Sequence, residues 1–474
     1  MTLTLILISM AAALLAGWLT RARGRTLILL AFSALAVYAF QPELPVRFLD
    51  FWLPTATLAL VAVSWALTAA PEKRSWRVNW PAAAILCGII LALGLTRFLP
   101  IDLPLTASRP PQTMQVILAI LISGVATLTA LWLSRRSVKW LAAAIGLILA
   151  LFLVLKVPEL AYWTSFIFHK LNQQYSGTTS AADLRWLGFS YIAFRLIHTI
   201  RDRQSGRLPA VSLAEYTTYI IFFPSLTAGP IDRIERFLGD LRCPFVLSAE
   251  DLTEAGKRLV LGLFKKFVVA DALALVALNG TNAWQVRTAG WTWVLLYAYT
   301  FQIFFDFSGY TDIAIGLGRL LGFKLPENFN APYRRPNLTQ FWNNWHMTLT
   351  QWFRAYFFNP LTRALRSSRK PISIPVIIFI TQIATMVLIG LWHGMTWNFV
   401  LWGVWHGLGL FIHNRWSERT RAGFAALPPC WQKSLNVGGV LLTFHYVTLG
   451  WIFFALPSLA TLVRFLRIAF GGLL

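Results

Sequence analysis

Charged residues are scarce in this chain. Only 13% of its 474 residues are Asp, Glu, Lys or Arg, whereas soluble globular proteins carry about 25%. Acidic residues are the scarcest: there are 19 Asp and Glu against 42 Lys and Arg, a net charge of +23. A soluble enzyme or a disordered chain needs more charged side chains, so both classes are excluded. No nucleic-acid partner is expected either, because long apolar runs separate the basic residues.

Cysteine is also scarce. Cys87, Cys243 and Cys430 are scattered and show no CxxC spacing, which excludes a secreted disulfide scaffold. The sequence also lacks the ligand spacing of a metal centre and the glycine patterns of nucleotide-binding loops. It therefore predicts no bound metal and no permanently bound cofactor. No internal repeat is visible, which counts against a transporter built from inverted repeats.

Hydrophobic residues dominate what is present. They make up 57% of the chain, with 22 Trp and 35 Phe, and they form runs of the length that crosses a bilayer, about 20 residues. The first run, Leu3–Leu19, has no positive segment before it and no clear cleavage site, so we interpret it as a retained span. Six spans are predicted in the first third of the chain: 2–20, 26–41, 51–70, 81–97, 113–133 and 138–157.

The loops between these spans alternate in charge. The loops after the first, third and fifth spans hold nine basic residues: Arg21, Arg23, Arg25, Lys73, Arg74, Arg77, Arg135, Arg136 and Lys139. The intervening loops hold three: Arg47, Arg97 and Arg109. Because short loops rich in Lys and Arg stay in the cytosol, the N terminus is predicted to lie outside.

The pattern of apolar and polar residues changes near residue 158. Further spans are predicted at 290–305, 372–391, 397–414 and 436–456, and the segments between them are too polar to face lipid on all sides: 186–200, 211–229, 255–278 and 338–357. Such backbone must be buried in protein or line a water-filled cavity. The prediction is an all-α polytopic membrane protein with about 11–13 transmembrane or re-entrant helices. It divides into scaffold helices (1–157), a catalytic core (158–415) and C-terminal helices (416–474).

Two histidines are candidates for chemistry. His393 follows the apolar run 372–391, and His346 lies in a polar segment among tryptophans. Ionisable groups at membrane depth are costly and often functional, and an imidazole can exchange a proton near neutral pH. A purely structural, hydrogen-bonding role is the alternative for each. His406 would lie on roughly the opposite face of a continuous helix from His393, and we interpret it as structural.

Four motifs follow one another in a distinctive order. They are FDFSGYTDIAIG at 305–316, PENFNAPY at 326–333, FWNNWH to WFR at 341–354 and LWHG at 391–394. Together with GPIDR at 229–233, they resemble the membrane-bound O-acyltransferase family, specifically its alginate O-acetyltransferase-like branch. The chain departs from that branch at Ala355, where an acidic residue is usual, and at 362–366, where a Gly-Gly run often occurs. Both departures bear on which acceptor the protein uses more than on the reaction that the resemblance implies.

The resemblance implies an acyltransferase. Such proteins form a ring of tilted and re-entrant helices around a funnel, with a tunnel from a cytosolic donor to the opposite face. The family's catalytic histidine corresponds to His393, and its second histidine corresponds to His346. The donor it implies is an acyl thioester, either acyl-coenzyme A, with acetyl-coenzyme A expected, or an acyl carrier protein.

The chemistry of the residues agrees with this resemblance. A thioester is already activated, so a hydroxyl acceptor needs only proton removal and a stabilised oxyanion. His393 is predicted to be the base, while His346, Asn344 or the Trp N–H donors orient the substrate. The other candidate substrate-binding residues are Trp345, Trp392, Asp306, Tyr310, Asp312 and Arg354. Asp306, Tyr310 and Asp312 flank Gly309, where hydrogen bonds that hold a bent helix are the alternative.

The basic clusters of the second half suggest a donor-docking surface. Contact with lipid headgroups is one interpretation, and binding of donor phosphates or of an acidic carrier protein is the other. The candidate donor-docking residues are Lys265, Lys266, Arg334, Arg335, Arg363 and Arg366.

The sequence therefore predicts a multipass enzyme of the inner or plasma membrane. It would move a short acyl group to a hydroxyl of an exported polysaccharide, directly or through a periplasmic acetylation partner protein. One alternative is acylation of a lipid or lipid-linked sugar. The other is a proton-coupled transporter or flippase, which would need both histidines for solute flux and release no coenzyme A.

Overall fold

The computed structural model describes residues 2–19, 24–99, 106–174, 177 and 179–472. Within these ranges the regular structure is helical and contains no strand, and every predicted span coincides with a helix. The chain divides into two compact units, one formed by Met1–Leu259 and Ile313–Pro326, the other by Val260–Asp312 and Glu327–Leu474. These bounds differ from those of the three segments suggested by the sequence, whose functional division stays a prediction.

The first unit contains the predicted scaffold spans. They are α1 (Leu3–Leu19), α2 (Arg25–Phe40), α3 (Leu49–Thr68), α4 (Trp76–Leu95), α5 (Thr113–Arg136) and α6 (Lys139–Lys156). Shorter helices follow: α7 (Pro158–Leu171), α8 (Phe189–Gln204), α9 (Leu213–Ile220), α10 (Ile234–Arg242) and α11 (Ala249–Leu263, which ends in the second unit). Hydroxyl side chains in the spans bond to their own helix, as Thr57 does to the Leu53 carbonyl at 3.0 Å. This satisfies polar groups without water.

A buried arginine joins distant segments of the first unit. The Arg25 guanidinium, at the start of α2, donates to the carbonyl oxygens of Asp240 and Cys243, each at 2.7 Å. It also donates to the Leu321 carbonyl at 2.7 Å. A buried charge is costly without partners, and the hydrogen bonds to these carbonyls offset the cost of burying the guanidinium. Arg25 thus holds the end of α10 and residue 321 against the start of α2.

The second unit carries the segments with functional motifs. Its helices are α12 (Asp271–Ala274), α13 (Gly280–Gln285), α14 (Ala289–Leu320, which ends in the first unit), α15 (Leu338–Asn344), α16 (Met347–Phe353), α17 (Asn359–Arg366), α18 (Ile374–His393), α19 (Trp397–Ala426), α20 (Pro429–Ala455) and α21 (Leu459–Ala469). Two π-helical segments, Phe264–Ala270 and Arg354–Phe358, lie beside the motifs. Such segments are rare in proteins and frequently occur at functional sites.

Glycines set the distance between α18 and α19. A Cβ atom on Gly403 would come within 2.6 Å of the Met386 carbonyl oxygen and 2.7 Å of the Val387 nitrogen. One turn later, a Cβ on Gly407 would overlap Ile383. Small residues four apart allow two helix backbones to approach closely in a membrane. This hairpin positions His393, the last residue of α18.

Six described helices are long and apolar enough to cross a membrane: α3, α4 with the turn that follows it, α5, α6, α18 and α20. The helices α1 and α2 are apolar but shorter. The chain is therefore a membrane protein with the all-α, polytopic fold predicted from the sequence.

The orientation gives a direct test. We expect a reporter inserted at 71–75, between α3 and α4, or at 137–138, between α5 and α6, to register in the cytosol. A reporter at 106–112, before α5, should register outside, since the positively charged loops are retained in the cytosol. Reversal at all three sites would contradict the predicted orientation.

Candidate active site

His346 lies in a sharp turn between two short helices. Its backbone is left-handed, with φ 42° and ψ 54°, so α15 and α16 cannot form one continuous helix. The preceding motif fastens this turn: the Asn330 N–H donates to the Asn344 carbonyl at 3.1 Å, and the Met347 N–H to the Asn328 carbonyl at 2.9 Å. A left-handed residue other than glycine costs energy and persists where surrounding contacts enforce it, often at functional sites.

Asn328 fixes the protonation pattern of His346. The Asn328 side chain is fully buried, and its Oδ1 accepts a hydrogen bond from the Thr348 hydroxyl at 2.6 Å. The same oxygen lies 3.3 Å from His346 Nδ1. An amide oxygen only accepts, so His346 carries its proton on Nδ1. Its Nε2 therefore presents a lone pair.

The surroundings keep His346 neutral. Only 4% of the residue is exposed, and the Phe307 ring packs edge-on against it at 4.6 Å between centroids. Because burial away from water penalises a charged group, the neutral imidazole is the favoured form. Among the described residues, no hydrogen-bond partner reaches His346 Nε2. This nitrogen is a buried acceptor that a bound substrate could use.

His393 lies at the end of α18 in a partly buried aromatic cluster. The centroid of its ring is 4.5 Å from Trp392, 4.8 Å from Phe454 and 5.8 Å from Trp402. The Phe399 ring stacks on it at 6.0 Å. A cation that lies over the face of an aromatic ring is attracted to it, so an imidazolium at His393 would be favoured where a ring such as Phe399 stacks on it.

Trp392 connects the two histidines. Its ring centroid is 4.5 Å from that of His393 and 6.4 Å from that of His346. The structure thus brings together three predicted site residues, His346, His393 and Trp392. One imidazole is held neutral with an available acceptor nitrogen, and the other is placed where a positive charge is tolerated. That combination can orient a hydroxyl group and remove its proton.

Of the other predicted substrate-binding residues, Arg354 lines a cavity of about 260 Å³. Its guanidinium donates to Asn343 Oδ1 at 2.9 Å. Gln382, also in the lining, has a buried Oε1 that no described residue bonds. By contrast, the Asn344 amide donates to the Gln340 carbonyl of its own helix at 2.8 Å. Trp345 is buried among aromatic rings, 5.6 Å from Phe341.

The residues around Gly309 form a tight helix contact. A Cβ on Gly309 would lie 2.8 Å from the Gly262 carbonyl oxygen. On either side of this contact, Lys265 pairs with Asp312 at 2.6 Å, and Lys266 forms a short ion pair with Asp306. Tyr310, between the two carboxylates, is buried. The ion pairs give both acids and both lysines a role in fastening α14 to the π-helical segment; substrate contact and donor docking stay predictions for them.

The four predicted docking arginines lie in different surroundings. Arg334 lines a second cavity, of about 520 Å³, together with Lys433. Arg335 donates to the Asn330 carbonyl at 2.6 Å. Arg363 and Arg366 are exposed on α17. Donor docking by these residues also stays a prediction.

The sequence reasoning assigned no role to three residues of the site. Asn328 belongs to the PENFNAPY motif, and Phe307 belongs to FDFSGY, so membership of a motif was the available signal. Phe454 of the aromatic cluster lies in α20, outside every motif, and had none. His406 is fully buried against Trp402, at 4.9 Å between centroids, and no described residue bonds either ring nitrogen.

Asn328 offers a test of the tautomer. In the Asn328→Leu variant, His346 loses its Nδ1 partner, and we expect turnover to fall by a factor equivalent to about 1–3 kcal/mol, the cost of a buried unsatisfied group. The Thr348→Val variant removes the other bond to the same oxygen and should cost less. Turnover of purified variants, compared at equal folded fraction, measures both. Full activity of Asn328→Leu would contradict this role.

Comparisons with known proteins match most of this chain to one family. The sequence model of one family, described as MBOAT, membrane-bound O-acyltransferase family, matches residues 125–458. The chain is 32% identical to a teichoic acid D-alanyltransferase of Streptococcus thermophilus over 306 residues, covering 61% of this chain and 72% of that protein. It is 36% identical to a probable alginate O-acetylase of Pseudomonas syringae pv. tomato, covering 58% and 49%.

A third relative is a peptidoglycan O-acetyltransferase of Helicobacter pylori, 32% identical over 53% of this chain and 46% of that protein. The matched stretch thus spans about half the length of the two acetyl-transferring relatives. The family match includes all four motifs at 305–316, 326–333, 341–354 and 391–394, so the resemblance to this family is confirmed. The chain belongs to the membrane-bound O-acyltransferase family, and its chemistry is acyl transfer.

Proposed function

We propose that this protein transfers a short acyl group, expected to be acetyl, from a cytosolic thioester to a hydroxyl of an exported cell-envelope polymer. The observation that carries the proposal is the pair of unlike imidazoles joined by Trp392. The names of the relatives support the class of acceptor, since they refer to alginate, peptidoglycan and teichoic acid. The membrane concerned is the inner or plasma membrane, where a cytosolic donor and an exported acceptor can meet.

The two histidines divide the work. His393 removes the proton of the acceptor hydroxyl, because its aromatic cluster favours the resulting cation. His346 stays neutral and uses Nε2 to accept a hydrogen bond, which orients the acceptor or the donor. Direct attack of the hydroxyl on the thioester carbonyl then forms the ester and releases the thiol, which carries away the proton.

The 260 Å³ cavity is the proposed seat of the donor. Its lining combines apolar groups such as Phe353 and Met386 with polar ones such as Gln382 and Thr385. That mixture suits a flexible arm with amide groups ending in a thioester. Arg354 at the cavity adds a positive charge for a donor phosphate.

The proposal is tested with purified protein in proteoliposomes. Radiolabelled acetyl-coenzyme A is supplied outside the vesicles and a polysaccharide acceptor is enclosed inside them, and thiol release and acceptor labelling are followed together. We expect both to occur at equal rates and to require His393. A parallel arm supplies an acyl carrier protein thioester, which distinguishes the two donors. Solute flux without thiol release would favour the transporter alternative, and labelling of lipid alone would favour lipid acylation.

Arg354 provides a sharper test of the donor seat. For the Arg354→Gln variant we expect the KM for the donor to rise about tenfold, equivalent to about 1.4 kcal/mol, with kcat changed less, since a binding contact is lost. Arg287→Gln is the matched control, because Arg287 is exposed and lies outside both cavity linings. Steady-state kinetics over a range of donor concentrations separates the two effects. An unchanged KM in Arg354→Gln would exclude Arg354 from donor binding.

A further inference from the structure

We propose that the first unit binds a divalent transition-metal ion between α8 and the start of α10, with His198, Asp202 and Glu235 as ligands. One potential ligand atom from each residue lies within 4.8 Å of the other two. No second group of three such residues occurs within the described ranges. These three residues belong to the first unit, whereas those of the proposed acyl-transfer centre belong to the second.

The three ligands come from two helices. His198 and Asp202 are four residues apart on α8, so both side chains point from one face, and both are buried, with 1% and 4% of each residue exposed. His198 Nε2 and Asp202 Oδ2 lie 2.9 Å apart. Glu235 lies in the first turn of α10 and is exposed. An ion can therefore reach the buried pair from the side of Glu235.

Tyr219 orients His198 from behind. The Tyr219 hydroxyl donates to the Asp232 carbonyl at 2.7 Å, so it accepts from His198 Nδ1, 3.2 Å away. His198 then carries a proton on Nδ1, and Nε2 is the atom that faces the carboxylate. Histidines that bind metals commonly donate their other N–H to an outer partner in this way.

Arg207 orients the carboxylate in the same manner. Its guanidinium donates to Asp202 Oδ1 at 3.0 Å, while Oδ2 faces His198. The Arg207 side chain is 67% exposed, so it approaches from solvent. Each buried ligand thus has an outer partner that fixes its direction, as a pre-organised metal site requires.

The donor set decides the class of ion. One imidazole nitrogen and two carboxylate oxygens suit Zn²⁺ or Mn²⁺, with water completing the shell. The rival explanation is a protonated His198 paired with Asp202, which has no need of Glu235. Spacing in the sequence did not reveal this site because Glu235 comes from a different helix than the other two ligands.

The test uses the full-length protein in detergent, with any purification tag removed and metals stripped by EDTA and dialysis. Calorimetric titration with ZnCl₂ or MnCl₂ should show one saturable site and a rise in the unfolding temperature. We expect Glu235→Gln, an exposed substitution, to weaken binding at least tenfold and His198→Gln to abolish it. The matched control is His169→Gln, because His169 pairs with Asp183 at 3.3 Å in the same unit and no third ligand joins them among the residues that the structure describes.

The outcomes are distinct. Loss of binding in the two ligand variants, with wild-type binding in His169→Gln, supports the site. An absence of saturable binding in the wild-type protein would overturn the proposal, as would equal affinity in wild type and Glu235→Gln. None of these readouts uses acyl transfer, so the proposed function and the metal site can fail separately.

Discussion

Replacing His393 with alanine is expected to slow acyl transfer by about 10²–10⁴-fold, the usual contribution of a general base. Donor binding should survive, because proton removal contributes in the transition state rather than in the ground state. His346→Ala should cost less, a factor equivalent to the about 1–3 kcal/mol of a buried group left without its hydrogen bond. Thiol release by purified variants, with donor binding measured in parallel, gives both numbers.

The double variant decides whether the histidines act separately. If His393 and His346 have independent roles, their effects should multiply. If either single variant loses as much activity as the double variant, the two imidazoles act as one unit, and the division of work proposed here is wrong. A fully active His393→Ala protein would end the base mechanism altogether.

The second large effect is expected at Gly403. In the Gly403→Leu variant, a Cβ atom must fit 2.6 Å from the Met386 carbonyl oxygen, which is backbone and cannot move aside. The α18–α19 hairpin must then open, which costs at least the roughly 1–3 kcal/mol of an overpacked core. Because His393 ends α18, turnover should be lost together with stability. Thermal unfolding in detergent and turnover measure the two losses.

Gly438→Leu is the matched control. Gly438 lies within α20, and a Cβ placed on it would meet no atom within 4 Å. The same substitution should therefore leave the unfolding temperature and turnover close to wild type. Equal behaviour of Gly403→Leu and Gly438→Leu would show that helix spacing does not control the site.

The parts of the fold that depend on the composition of one segment could be predicted from the sequence. Long apolar runs such as 113–133 and 372–391 identify spans because hydrophobicity alone places them in lipid. The boundaries of the two units were not predictable, since residues 313–326 join a unit formed mainly by the first 259 residues. That arrangement depends on distant contacts, which hydropathy does not encode. The π-helical segments were not predicted for the same reason. The sequence FKKFVVA of the first one has no feature that distinguishes a π-helix from an α-helix.

The site was predictable only in part. The motifs singled out His346 and His393, but the bond between Asn328 and His346 depends on a left-handed turn that brings two motifs together. Similarly, Lys265 was predicted to dock the donor or to contact lipid headgroups, and its ion pair with Asp312 was not foreseen because Asp312 comes from another helix. Which side chains pair across helices can be known only from how the helices pack, whereas the types of residue in the site can be predicted from the sequence.

Arg25 has a consequence for how the protein is made. Its Leu321 partner lies 296 residues further along the chain. At a synthesis rate of roughly 5–20 residues per second, about 15 to 60 s pass before that carbonyl emerges from the ribosome. During that interval the guanidinium at the start of α2 needs water, a lipid phosphate or an insertion chaperone as a temporary partner. The first unit therefore becomes complete only after translation has passed residue 326, which places the last step of its assembly late in synthesis of the chain.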